Sequence, residues 1–134
     1  MANEAVPIYG TGEKLRIFTC AANPTVSFGT LMLLSGDNTA SFSLAGSGAQ
    51  FAGIAFSDKS TNETVLTLDM GGQWDLTASG AIPAGHKVVM AGGNKVMDID
   101  LTTAAVAASG AQVVGTVFEA ASDNEQVRVD LDRR

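Results

Sequence analysis

Short apolar runs, each closed off by glycine or small polar residues, organise the chain from end to end: KLRIFTC, TLMLL, FAGIAF, TVLTLDM, QWDLTA, HKVVM, NKVMDIDL, QVVGTVF and QVRVDL. Runs of roughly four to eight residues joined by Gly, Asn, Asp and Ser turns at this spacing predict an all-β fold, mainly antiparallel, of the sandwich or barrel kind. Period-two alternation is clearest near the C-terminus, where Val127, Val129 and Leu131 share one face while Arg128 and Asp130 point to the other. SGDN at Ser35 to Asn38 and AGGN at Ala91 to Asn94 are tight-turn sequences, because Gly and Asn accept the positive φ that hairpins demand. Only LTTAAVAAS, Leu101 to Ser109, reads as helical, with Thr102 or Thr103 as cap and Gly110 as terminator, so one short helix is predicted near 102–109.

The pattern occurs twice. SGAQFAGIAFSDKSTNETV, from Ser47 to Val65, matches SGAQVVGTVFEAASDNEQV, from Ser109 to Val127, without a gap at an offset of 110 − 48 = 62. Upstream, Gly29, Gly36 and Asn38 answer Gly85, Gly92 and Asn94 at an offset of 85 − 29 = 56, so about six extra residues fall in the second copy, where the helix is expected. After Val65 the alternation slips by one, with Leu66, Leu68 and Met70 answering Val127, Val129 and Leu131, which implies a bulge or an altered turn. The repeat therefore spans 29–69 and 85–131 within one domain, 13–134. Two such units are expected to face each other with pseudo-twofold symmetry and close a compact β-barrel, since two repeats are too few for a solenoid.

Composition narrows the chemistry. Hydrophobic residues make up 46% but aromatics only 6%, so aliphatic side chains fill the interior around Phe18, Phe28, Phe51, Phe56 and Phe118. A net charge of −6 with scattered basic residues argues against a nucleic-acid partner. No run approaches the roughly 20 apolar residues of a membrane helix, and the N-terminal stretch does not read as a secretory signal, so synthesis in a cytoplasm is expected. Cys20 is the single cysteine and is expected as a small buried strand residue.

Catalytic and ligand motifs are weak. GAIPAGHKV places His86 where a phosphate loop needs lysine, and GSGAQF leads into a strand where a dinucleotide fingerprint needs a helix. His86 is the lone histidine, with no nucleophile elbow around any serine, and reads as a solvated turn residue. The pairs Asp98/Asp100 and Asp130/Asp132 could hold a hard cation, but alternating acids read first as the solvent face of an edge strand. No catalytic residue, metal or cofactor is assigned. Trp74, the only tryptophan, is either a core plug or an exposed contact anchor.

The succession GEKLRIFTC, SFGTLMLL, AQFAGIAF, SGAIPAGHKVVM, SGAQVVGTVFEA and EQVRVDLD, over roughly Gly10 to Leu131, resembles the capsid decoration, or cement, proteins of tailed bacteriophages. The longer polar stretch SGDNTASFSLAGSG, and Met90 at a usually aromatic position, depart from the family pattern. The resemblance implies a compact β-barrel or β-tulip-like domain, trimeric on the outside of a mature head, partnered by the major capsid protein lattice and by no nucleic acid or membrane. It also implies a structural protein and not an enzyme. Residues 1–12 would then be an arm whose Val6, Pro7, Ile8 and Tyr9, together with Trp74, supply capsid or subunit contacts; the alternative is that this segment is a first edge strand. A ligand- or glycan-binding β module is the competing function, and it requires exposed aromatic platforms, for which Trp74 and Tyr9 are the candidates.

Overall fold

A computed structural model describes residues 3–41, 51–91, 94–98 and 113–131. These form strands β1 (Val6–Tyr9), β2 (Leu15–Thr19), β3 (Leu31–Gly36), β4 (Thr39–Ser41), β5 (Phe51–Ala55), β6 (Val65–Asp69), β7 (Gln73–Ala78), β8 (Lys87–Met90), β9 (Lys95–Asp98), β10 (Val113–Val117) and β11 (Gln126–Leu131). The architecture is all-β, as the run pattern predicts. The helix expected near 102–109 and both SGAQ segments lie outside the described residues.

Strands β2-β4-β3-β5-β6 close into a barrel. All of its contacts are antiparallel except the closing one, where β2 meets β4 in parallel at Thr19 and Thr39. Strands β7-β11-β10-β8-β9 repeat that path, and a parallel β7–β9 pairing through Thr77–Lys95 and Ala78–Val96 returns the last strand to the first. Each unit thus closes on itself, whereas the sequence repeat led us to expect closure between the units. The reason is β2 and β7, which supply the fifth strand of each ring but have diverged too far to register in the repeat. Closure removes edges that would otherwise present unpaired backbone.

The duplication extends to single bonds. Isolated bridges join Val26 to Lys59 and Ile82 to Ala121 at the two offsets of the sequence repeat. Ser60 N–H donates to Glu63 Oε1 at 2.6 Å, and Ser122 N–H to Glu125 Oε1 at 2.8 Å. Asn38 and Asn94, like Asn62 and Asn124, hold the positive φ that the turn sequences demand. The slip after Val65 is also present: β6 buries Leu66 and Leu68, while β11 buries Val127, Val129 and Leu131. In the second unit Ala78 takes two bonds, accepting from Asn124 and donating to Glu125; in the first, Asn62 donates to Ala22 and Cys20 to Thr64. The strands therefore enter one residue out of step.

A shared core joins the units. Strand β5 is buried along its whole length. Phe51 and Ile54, with Leu31 of β3, pack into the interior of the second barrel beside Trp74, Leu76, Val88 and Val129. Ala52 and Ala55, with Met32, face the first barrel's own core around Phe18, Leu66 and Leu68. Phe28 and Phe56 lie against Trp74, with ring centroids 5.8 and 6.2 Å away. Polar atoms pin the same seam. Asn94 is buried in the turn between β8 and β9; its Oδ1 accepts from Leu31 N–H at 2.7 Å, and its Nδ2 donates to Gly29 O at 3.2 Å and Asn3 O at 2.9 Å. Ala5 N–H also donates to Gly29 O, at 2.8 Å. Gly29 has φ +90°, and a Cβ there would stand 2.6 Å from Ala5 O, so only glycine fits.

Two predictions follow from the seam. Trp74→Ala removes the largest buried side chain and should cost about 3–5 kcal/mol in denaturant unfolding. Asn94→Gly keeps the positive φ but strands Leu31 N–H, and should cost about 1–3 kcal/mol. Asn38→Gly, at the exposed counterpart, should stay within about 0.5 kcal/mol; equal losses for the two asparagines would contradict this account of the seam.

Candidate functional site

The N-terminal segment is partly built into the fold. Residues 3–5 belong to the seam, and Val6–Tyr9 form β1, which pairs antiparallel with β7 at the edge of the second sheet. The structure thus shows the edge-strand alternative for this segment. Pro7, which lacks an N–H, is tolerated because an edge strand needs only one side of its ladder. All four β1 side chains are exposed, Tyr9 by 75%. Trp74 is different: it is 0% exposed, with its Nε1–H on Gly71 O at 3.2 Å, so within this chain it is a core plug. Of the sequence-predicted contact residues, Val6, Pro7, Ile8 and Tyr9 share one exposed strand, and Trp74 lies on the neighbouring strand β7, opposite Pro7.

Sequence reasoning missed a second exposed apolar group. On the outer face of the first barrel, Leu15 and Ile17 of β2 stand beside Val65 of β6, and Ile17 is 62% exposed. Ladder partners place Leu15 opposite Asp69, which is buried, Ile17 opposite Thr67 and Thr19 opposite Val65, so the exposed part of this face carries aliphatic and hydroxyl side chains. The matching face of the second barrel carries Gln73 and Asp75 on β7 and Gln126 and Arg128 on β11, where Arg128 Nε donates to Asp75 Oδ1 at 3.0 Å. That ion pair holds the Arg128 guanidinium pKa above its ordinary value. The signal was present in KLRIFTC, which is apolar on both faces, but only its alignment with QWDLTA reveals that Leu15 and Ile17 occupy positions that are polar in the other copy.

The titratable residues behave as structural ties. His86 is not a solvated turn residue: its Nδ1 lies 2.9 and 3.1 Å from the two carboxylate oxygens of Asp98. Asp98 is buried, so the solvent-face reading of the first acid pair fails; β9 is no free edge, because it pairs with both β8 and β7. Asp100 and Asp132 lie outside the described residues, and Asp130 is half-buried. Asp69, wholly buried, accepts from Gly12 N–H at 2.8 Å and Gly71 N–H at 3.2 Å and so ties the β1–β2 turn to the link between the units. Among the described residues no three His, Cys, Asp or Glu side chains gather as a metal would require.

Cys20 is half-buried at an apolar pocket of about 180 Å³ lined also by Pro24, Val26, Met32, Ala40 and Lys59. The Lys59 ammonium is held by the carbonyls of Ala22, Pro24 and Ser60. Burial pushes the Cys20 thiol up, Lys59 opposes that and Glu63 adds to it. A reactive nucleophile needs the opposite shift.

The described geometry is that of a two-barrel β domain whose conspicuous surface chemistry is exposed apolar side chains. A family model described as phage cement protein matches residues 11–131, and the chain belongs to that family of structural phage proteins. No curated protein sequence matches it significantly. Among solved structures, the N base of head fiber gp8.5 in bacteriophage phi29 has a TM-score of 0.55, covering 89% of this chain and 95% of that chain at 18% identity, a likeness of fold.

The thiol shift gives a test at this site. The alkylation rate of Cys20 against pH should have its midpoint above that of an ordinary thiol, and Glu63→Gln, which keeps the acceptor for Ser60 N–H, should bring the midpoint down. A midpoint below the ordinary value would contradict the assigned environment.

Proposed function

We propose that this chain binds the outer surface of an assembled phage head as a trimer and stabilises the shell, without enzymatic activity. The observation that supports this reading most directly is the match of the cement-protein family over nearly the whole chain, 11–131. The surface agrees with it. Exposed Val6, Ile8, Tyr9, Leu15, Ile17 and Val65 all lie on β1, β2 and β6, and the cross-strand cluster on the first barrel is matched by an ion-paired face on the second. Isolated exposed aliphatics need no explanation, but an exposed cluster whose place in the other copy is taken by charge supports a contact surface here.

The energetics suit adhesion. A protein that binds the assembled lattice and not the loose subunit adds its binding free energy to the cost of shell dissociation. Modest contacts suffice when a trimer engages several sites at once. The glycan-module reading loses its better platform, because Trp74 is buried; Tyr9 remains exposed.

The experiment is co-sedimentation of the purified chain with undecorated heads, followed by heating. Bound chain should raise the temperature at which heads release their contents. Ile17→Asp and Val65→Asp should each lower head affinity about tenfold or more, the worth of a buried aliphatic side chain, with little change in melting. Ile8→Ser and Tyr9→Ser test β1 more cleanly than a deletion, which would also remove the seam contacts of Asn3 and Ala5. Heads that neither bind the chain nor gain heat resistance would overturn the reading.

A further inference from the structure

Because the units are copies, the joint made between them has an unused counterpart. Within the chain, the first unit stops the mouth of the second barrel with Leu31, Ile54, Phe28 and Phe56. The side chains lining that mouth, Trp74, Leu76, Met90, Asn94, Val114 and Leu131, are all buried. Their counterparts in the first barrel are Arg16, Phe18, Leu34, Asn38, Ala52 and Met70, and these six line an open pocket of about 160 Å³. The correspondence is fixed by the ladders: Arg16 lies opposite Leu68 as Trp74 lies opposite Val129, and Phe18 opposite Leu66 as Leu76 opposite Val127.

The stopper has a counterpart too. Leu31 pairs with Ile54 across β3 and β5, and the same pair in the second unit is Lys87 with Thr116, joined at 3.2 Å. Phe56 corresponds to Phe118, which is 65% exposed with Glu119 beside it. Mouth and stopper have changed in the same sense. Arg16 stands where the second mouth has Trp74, Lys87 and Thr116 stand where the first stopper has Leu31 and Ile54, Ala84 stands in place of Phe28, and of the two stopper aromatics Phe56 is kept, as Phe118. A central aromatic with polar surroundings is the composition of a separable interface. Arg16 takes the place of Trp74, against which Phe56 packs at 6.2 Å, and Glu119 beside Phe118 carries the charge opposite to that of Arg16.

We propose that a second copy of this chain seats Phe118 of its second barrel in the open mouth of the first barrel, repeating between chains the joint that holds the two barrels together within one. Such a contact is head-to-tail and closes into a ring if the rotation allows. It rests on the proposed trimer only for the number of copies.

Light scattering on the full chain tests it. The wild-type mass should be a multiple of the 13.7 kDa chain. Phe118→Ala, at an exposed position, should melt like wild type and weaken self-association about tenfold or more. Arg16→Glu should weaken it as well, and Arg16→Glu combined with Glu119→Arg should restore it. A monomeric wild type at roughly millimolar concentration, or Phe118→Ala keeping the wild-type mass, overturns the joint; in the first case the polar face around Lys87 is simply the solvated end of a terminal repeat. Head binding by the same samples is read separately. A monomer that still coats heads overturns this joint and leaves the cement reading standing, while an intact ring that ignores heads does the reverse.

Discussion

Everything in this fold depends on one unit stopping the mouth of the other. A five-stranded ring of short strands encloses little volume, and here the interior is filled mostly by Val, Leu and Ala with few aromatics. Such a ring loses core at its open end, where side chains would face water. The second barrel escapes this because Leu31, Phe51 and Ile54 enter its buried cluster and Phe28 and Phe56 close over Trp74. Strand β5 is consequently buried on both faces, serving two cores at once. The apolar contact supplies most of the stabilisation, since it removes several large side chains from water. Asn94 supplies specificity: its three bonds to Leu31, Gly29 and Asn3 are satisfied only in one orientation of the units.

That constraint explains the first residues of the chain. A free arm could hang from a closed barrel, yet Asn3 and Ala5 take part in the seam by bonding Asn94 and Gly29. Once anchored there, the chain leaves along β7 and has its ladder partners ready, so Val6–Tyr9 add as an edge strand. Asp69 then secures the return: buried, and bonded to the N–H groups of Gly12 and Gly71, it holds the crossing between the units on both sides. The shared core and these bonds tie the two barrels and the segment that joins them together, even though each ring closes by itself.

Much of the architecture was legible because turns and alternation are local. The repeat could be read from Gly29, Asn38, Asn62 and Glu63, which serve turns and loops, and from Phe56, all recurring at fixed offsets. The slip after Val65 was legible for the same reason, since burial follows Leu66 and Leu68 and not Val65. What stayed hidden was long-range. Nothing in QWDLTA says whether Trp74 meets a partner or the other half of its own chain. The His86–Asp98 contact joins the loop before β8 to the end of β9, and parity along NKVMDIDL does not reveal that this strand is enclosed on both edges. The apolar face of Leu15, Ile17 and Val65 was hidden differently: its residues were visible as strand formers, and only their absence from the other copy's surface gives them meaning.

Duplication also separates what the fold needs from what differs between its halves. Positions that agree in both copies, such as the asparagine turns, the Ser–Glu loop bonds and the bridges before β3 and β8, serve the turn and loop geometry that both rings share. Positions that disagree are free of that demand, and their differences are not random. The stopper is apolar in the first unit, where the second unit covers it, and polar in the second, where none of the chain's own described residues does so. The outer face of β2 and β6 runs the other way, aliphatic in the first unit and ion-paired in the second. Folding alone would let both outer faces drift toward polar residues, since each is solvated in the isolated chain. An aliphatic face on one copy, where the other carries Asp75 and Arg128, is therefore the asymmetry on which the proposed adhesion through the first barrel rests.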